Sequence, residues 1–543
     1  MHEHLIAKAY SQLELGHNLD RELCLALEKT RFADYKLITL CVRLLTKARS
    51  MSEESVVTHF LKSSAVVRSL VGCAYPNEVR GVMRGDWVPD TEVPLNGDDL
   101  EIVTRLKQRQ QIGRALFQSM LDRFLRGKVS PSVISLALAM IAVHGLSTSD
   151  ARNLTTAMVR SGETFDYRPF ANNLRKRIVR RYPTGGLSEK VALILPSVLA
   201  ALSGEIPLLS TTLVGRSLGF TGGTWDKLST VPGFTFAEPG TATERILAEN
   251  KVAMCTTSAS MNPADRALYL LRSETGAIIS QPLIISSIAS KHLAMPPHRM
   301  LLDVRFGPGA FLGDVNGARN LANNLHTMLE NEGVPTEDVL ISTEKLNGGA
   351  IGNVVEVVEA LVVMGADQER IQWNGPLLQS QKAIVTRQAI QLLSAEFDEF
   401  RVLDRGDLEG KIDRLFTGRD VLTYFNLLLR AHGVAPNLAD EVCARPESLL
   451  QNLETVAIRA PAEGYVRAVD QVALGNYVNF GLAANDTPNV PGANRSGVVL
   501  FKNAGESVRS GEVLALVYLE HTVLLKIPLN EISTSITNCF QLS

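Results

Sequence analysis

No stretch of this chain is apolar for long enough to cross a bilayer, which takes roughly 20 residues. The greasiest run, VALILPSVLAAL, is shorter than that and is interrupted by Pro196. The N-terminal MHEHLIAKAYSQLELGH has no apolar core of a secretory leader. The six cysteines (Cys24, Cys41, Cys73, Cys255, Cys443 and Cys539) form no CxxC pair and no zinc spacing. The expectation is therefore free, mostly buried thiols in a reducing compartment, in a cytoplasmic protein with no membrane partner. Charge of neither sign prevails: the formal net charge is −2, which removes any global drive towards nucleic acid or acidic lipid. The one dense basic run, LRKRIVRRY, has no interleaved aromatic except Tyr182, so a nucleic-acid partner is not expected. The C-terminal segment lacks the MKM-like lysine turn of a biotin or lipoate carrier, and no internal repeat or low-complexity tract is present.

What the chain does have is length and ordinary globular composition. At 543 residues, 45 % hydrophobic and 21 % charged, it is too long for one core. Residues 1–95 read as a mainly helical N-terminal extension, with apolar residues three and four apart in LDRELCLALEKTRFADYKLITLCVRLLTKA. The stretch YPNEVRGVMRGDWVPDTEVPLNGDD, rich in Pro, Gly and Asp, reads as a connector. Residues 96–180 read as a helical lobe, with helix starts at Ser130-Pro131 and at Ser147 to Asp150. Within it, LRKRIVRRY is taken as helix, which puts Arg177 and Arg181 on one face and Arg175 and Lys176 elsewhere. Across 181–440, strand-like runs alternate with helical ones, which argues for an α/β domain. Residues 441–543 turn to short strands with glycine turns, a small β-rich C-terminal domain.

Several stretches taken together resemble the thymidine and pyrimidine-nucleoside phosphorylase family and its AMP-phosphorylase relatives. They are VISLALAMIAVHGLSTSDARNLTTAMVRSGETFDY, PTGGLSEKVALIL, GRSLGFTGGTWDKLSTVPGF, TSASMNPADRALYLLRSETGAIISQPLIISSIASKHLA, LLDVRFGPGAF and GGAIGNVVEVVEAL, in that order. The C-terminal APAEGYVRAVDQVALG and VRSGEVLALVY also fit. The resemblance runs from about Lys128 to the C-terminus and leaves the first hundred or so residues outside. It implies an α/β multidomain fold. A helical lobe, completed by part of 240–300, faces a large α/β lobe across a cleft, with the β-rich C-terminal domain and the helical N-terminal domain as additions. It also implies a homodimer and a pentosyl transfer. Phosphate, as co-substrate, attacks the sugar C1′ of a nucleoside or nucleotide, and the base leaves. The transition state is oxocarbenium-like, so positioning and electrostatics do the catalysis.

The base half of such a site looks intact. The family grips the base with an arginine, a serine and a lysine, which match Arg272, Ser287 and Lys291. Ser287 and Lys291 are four apart and share a helical face. Taken alone, Arg272 and Lys291 would read as surface cations; the ordered set of motifs reverses that reading. The phosphate half is altered. The family's lysine, histidine, serine, threonine, glycine, glycine becomes Arg181, Tyr182, Pro183, Thr184, Gly185 and Gly186, and a later serine becomes Ala192. Arginine keeps donors suited to phosphate. Proline removes a hydroxyl and an N–H. Tyr182, facing the base, is no acid/base at neutral pH. Thr224 matches the family's threonine, while the family's further serine falls on Ser210, Thr211 or Thr212. GSGAF becomes GPGAF, with Pro308, and the lysine before it becomes Arg305. The expected catalytic set is Tyr182, Arg272 and Lys291, with phosphate held by Arg181, Thr184, Gly185, Gly186, Ser210 and Thr224. The basic run before the loop reads either as a solvated face or as a site for a nucleotide 5′-phosphate. No cofactor is required. The resemblance adds a monovalent cation, potassium, near the loop on Glu356 of GNVVEV, unless that carboxylate only caps its helix. The altered loop keeps two alternatives open: an acceptor such as water or another nucleophile, and a non-catalytic nucleoside-binding scaffold.

Overall fold

The structure, a computed structural model, describes residues 2–14, 17–75, 77–79, 97–217, 219–275, 277, 280–367, 373, 375–482 and 494–543. Most of the connector read at 75–99 lies outside them. The chain divides into two compact units: Met1–Thr164 with Ala259–Met295, and Phe165–Ser258 with Pro296–Ser543.

Every regular element among the first unit's described residues is a helix. Serine side chains cap several of its helices, though not Gln281–Ala294, where Ser280 makes no such bond. Ser50 and Glu53 form a reciprocal capping box at Met51–Ser63. Ser130 caps Pro131–His144, with Pro131 in the first turn, and Ser147 caps Thr148–Arg160. One apolar core joins Leu27, Ile38 and Phe60 to Phe117, Ile134 and Leu154, so residues on both sides of position 95 share it. The same core takes in Leu268, Leu271 and Leu283, on the helices Pro263–Thr275 and Gln281–Ala294.

The second unit is built on a parallel sheet of β1 (Arg177–Pro183), β2 (Leu208–Leu213), β3 (Val252–Cys255), β4 (Arg299–Phe306) and β5 (Thr336–Ser342). Their order is β3-β2-β1-β4-β5. The run RIVRRYP is therefore the central strand, and its reading as helix is corrected. Ile178 and Val179 are β-branched, and β1 pairs on both edges, which outweighs the helical spacing of its arginines. The chain runs to one side of β1 through β2 and β3, then to the other through β4 and β5. That reversal makes the carboxyl ends of β1 and β4 a topological switch point, where open α/β sheets bind ligands. Both ends open into glycine turns, Thr184–Gly186 and Gly307–Gly309. The helix after the first turn, Val191–Leu202, is buried along nearly its whole length.

Four antiparallel strands form a second sheet: β6 (Ala350–Ile351), β9 (Gly497–Leu500), β11 (Val513–Glu520) and β7 (Leu453–Arg459). A third sheet holds β10 (Ser507–Val508), β8 (Gly464–Val469) and β12 (Phe540–Leu542). β6 belongs to the loop after β5, so the C-terminal strands are stitched to the α/β core through β9.

One buried histidine ties β3 into this unit. His432 Nε2 accepts from the Met254 N–H at 3.1 Å, its Nδ1 donates to the Thr235 carbonyl at 2.8 Å, and its ring stacks on Phe234. The neutral ring thus satisfies both neighbours, and burial pushes its pKa down to about 4. Below the ordinary histidine range the unfolded chain takes the proton first, so stability is lost as pH falls from about 6.5 towards 4. The loss is on the order of 3 kcal/mol for this one group. Melting temperatures measured across that window should fall, and should fall less steeply in His432→Gln.

Candidate functional site

The base-side residues gather in the first unit on two helices. On Pro263–Thr275, Asp265, Tyr269 and Arg272 are four and three apart and so share a face. On Gln281–Ala294, Lys291 Nζ donates to Ser287 Oγ at 2.9 Å, pairs with Asp265 at 2.6 Å and sits 5.8 Å above the Tyr269 ring. Asp265 is buried, whereas the Lys291 side chain keeps 23 % of its exposure. A buried carboxylate thus fixes the ammonium of a side chain that is itself only partly buried. Arg272 is buried and pinned by carbonyls: Nε donates to Ala277 O and Nη1 to Leu283 O, each at 3.2 Å. Burial lowers its pKa. Ser287 and Lys291 therefore meet directly, and Arg272 braces the start of their helix. Asp265 and Tyr269 were not singled out from sequence. Their signal was the stripe they form with Arg272.

The loop-side residues lie in the second unit. The register pairs Arg181 with Leu301 and Pro183 with Asp303, so Arg181, Asp303 and Arg305 project from one sheet face. There Arg181 Nη2 meets Glu189 at 2.9 Å and also pairs with Asp303. Arg305 Nη2 meets Asp303 at 3.0 Å and Glu189 at 3.5 Å. Gln388 closes the group, accepting from Arg181 Nε at 2.9 Å and donating to Asp303 at 2.8 Å. Two cations and two carboxylates cancel. Burial alone would raise the Glu189 carboxyl, but Arg181, Arg305 and Lys227 outweigh it and hold it down at about 2. Asp303 is likewise held below its ordinary range, burial being outweighed by Arg305 and Arg181. Glu189 also accepts from the Ala192 N–H at 3.2 Å, capping the helix that follows the loop.

The other expected phosphate ligands are spread over this unit. The Thr184 hydroxyl accepts from the Arg305 N–H at 3.0 Å. Gly185 takes φ +94°, and a Cβ on Gly186 would press Arg305 Cδ at 3.1 Å and Gly309 O at 3.2 Å. Tyr182 is half-buried. Ser210 is buried within β2, and half-buried Thr224 opens the short helix Thr224–Leu228. The structure brings Arg181 and Thr184 together around Asp303 and Arg305. Among the described residues, neither Ser210 nor Thr224 hydrogen-bonds to that group.

The basic run does not form one basic face. Strand alternation sends Arg180 to the opposite side from Arg181, where its guanidinium holds Thr211 Oγ1 and burial pushes its pKa down to about 10. Arg177 pairs with Glu396 at the surface.

Glu356, the expected cation ligand, faces lysines. Lys227 Nζ lies 2.7 Å from its carboxylate and Lys190 Nζ lies 4.0 Å away. Lys190 further pairs with Glu359 at 2.8 Å, and Gly349 and Ala350 N–H groups donate to Glu359. These residues do not fit a potassium ion, because ammonium groups already take the oxygens that would hold it.

Residues 175–371 match the family described as "Glycosyl transferase family, a/b domain". The chain is 30 % identical over 424 residues to pyrimidine-nucleoside phosphorylase of Staphylococcus epidermidis, covering 76 % of this chain and 90 % of that protein. It is 28 % identical over 432 residues to thymidine phosphorylase of Mus musculus, covering 78 % and 87 %. Among solved structures, anthranilate phosphoribosyltransferase from Saccharomyces cerevisiae superposes with a TM-score of 0.45 at 10 % identity, covering 62 % of this chain and 98 % of that one. The identity and coverage against the nucleoside phosphorylases, together with the glycosyl-transfer domain on the parallel sheet, place the chain in the thymidine and pyrimidine-nucleoside phosphorylase family of pentosyltransferases.

Proposed function

We propose that the protein breaks the N-glycosidic bond of a pyrimidine nucleoside or nucleotide and transfers the pentosyl group to an acceptor. The observation that carries this is Lys291, a partly exposed lysine whose ammonium is fixed between buried Asp265 and Ser287. The electron pair of the breaking bond ends on the base, and a positioned cation stabilises that charge as it develops. Ser287 supplies a hydroxyl beside it for a base carbonyl or ring nitrogen.

Phosphate as acceptor, giving base and sugar 1-phosphate, is what the family resemblance supports. The loop favours the second reading, an acceptor such as water or another nucleophile. The Arg181 side chain is 3 % exposed and its charge is matched by Glu189 and Asp303, so a phosphate dianion would have to displace a carboxylate to reach it. Pro183 and Ala192 offer no side-chain donor in its place. Base release from uridine, thymidine and their 5′-monophosphates, measured with and without phosphate, separates the readings. Release that proceeds without phosphate is expected. Strict phosphate dependence with a sugar 1-phosphate as sole product would restore phosphorolysis, and no release under any condition would leave a binding scaffold.

A further inference from the structure

We propose that Lys190 supplies, from within the chain, the cation that an oxygen cage behind the glycine turn is built to hold, so that this fold needs no free monovalent metal ion there. Lys190 Nζ donates to the carbonyls of Ser188 and Ala350, each at 3.0 Å, and to the Ser188 hydroxyl, and it pairs with Glu359 at 2.8 Å. Two carbonyls, a hydroxyl and a carboxylate are hard oxygen donors of the kind that coordinate hard cations. An ammonium meets the same set with its three N–H donors on the two carbonyls and the hydroxyl and its charge against the carboxylate. The lysine is completely buried, so this is an interior site rather than a surface pair.

Charge balance points the same way. Lys190 and Lys227 face Glu356 and Glu359, two charges of each sign, all buried. Lys227 also donates to the Glu189 carbonyl. A metal ion added to this balanced group would be an uncompensated buried charge, which is strongly unfavourable. Removing Lys190 would leave a net negative cage lined by carbonyls, which is an alkali-cation site.

The backbone is shaped to the lysine nitrogen. Ser188 takes φ +60° and Gly348 φ +131°, both in the left-handed region that side chains resist. A Cβ on Gly348 would come within 2.9 Å of Lys190 Nζ and 2.8 Å of Glu359 Oε2. Ser188, Glu189 and Lys190 are consecutive. Lys190 fixes the residues flanking Glu189, and Glu189 meets Arg181 and Arg305. Lys190 is thus a positioning residue for the loop.

Equilibrium dialysis of the full-length protein against rubidium-86, in choline chloride buffer, tests this directly. Wild type should bind no stoichiometric Rb⁺, and its melting temperature should not change when potassium replaces choline at constant ionic strength. Lys190→Met should melt roughly 5 °C or more below wild type in choline, take up about one Rb⁺ per chain, and regain part of the lost melting temperature in potassium. One Rb⁺ bound per wild-type chain would overturn the proposal. So would a folded Lys190→Met that neither binds Rb⁺ nor responds to potassium. If Lys190→Met does not accumulate as folded protein, Lys190→Gln, which keeps a polar group in the cage, is read against the same two outcomes.

Discussion

Arg181→Met should destabilise the second unit by about 3–5 kcal/mol, the usual cost of removing one partner from a buried ion pair. The guanidinium touches Glu189, Asp303 and Gln388 at once. Its removal leaves two interior carboxylates with Arg305 as their remaining ion-pair partner, and Gln388 loses the donor to its carbonyl oxygen. The measurement is a chemical-denaturation midpoint at pH 7, compared with two controls. Arg181→Lys keeps the charge but not the planar fork, and should fall between wild type and Arg181→Met. Arg177→Ala removes an arginine that is 46 % exposed, four positions away on the same strand, and should cost about 1 kcal/mol or less. A small effect for Arg181→Met would mean that the carboxylates are hydrated or protonated rather than paired. The same titration reports on the acceptor, because a ligand that binds only the folded state raises its stability. Millimolar phosphate should leave the wild-type midpoint unchanged if Arg181 is committed internally.

The contrast between Arg177 and Arg181 shows what was legible in the sequence and what was not. Both stand in the run RRY and its approach, and helical spacing put them on one face. Strand alternation does the same, so that part of the reading survives a wrong element. The partners do not follow from spacing. Glu189 is eight residues from Arg181, Asp303 is 122 away and Gln388 is 207 away. Only the parallel register of β1 with β4, and the helix Gly375–Glu396 above them, brings these groups together. A basic run therefore looked solvated or ligand-binding when one member, Arg181, is an interior counter-charge and another, Arg180, is buried against Thr211. The lysines that face Glu356 come from two other segments, so spacing along the chain gave no sign of them. The meeting of Ser287 with Lys291 was legible because its geometry is local. Ser287 and Lys291 are one helical turn apart, and Asp265, Tyr269 and Arg272 follow the same rule on the neighbouring helix. The alternation of strands and helices gave the α/β class, but not that the switch point falls between β1 and β4.

Lys291→Ala should lower kcat/KM for base release by roughly 10²–10³-fold, the effect of removing one preorganised charge from a developing anion. Substrate affinity should change less than kcat if the ammonium acts mainly on the departing base, because an interaction that strengthens in the transition state appears in kcat. The lysine is partly exposed, so water can enter its place and the fold should persist with a modest loss of melting temperature. Asp265→Asn separates placement from charge. It keeps the ammonium but weakens its anchor at 2.6 Å, and should cost about tenfold, with Ser287 still holding Nζ at 2.9 Å. Tyr269→Leu removes the ring beneath the ammonium while leaving Asp265 and Ser287 in place, and should cost less again, since an exposed cation–π contact contributes about 0.5–1 kcal/mol. That ranking, charge before anchor before ring, is what a leaving-group stabiliser requires. Equal losses in all three variants would instead point to a helix pair that merely has to stay folded. Unchanged turnover in Lys291→Ala would remove the base-side group from the reaction altogether.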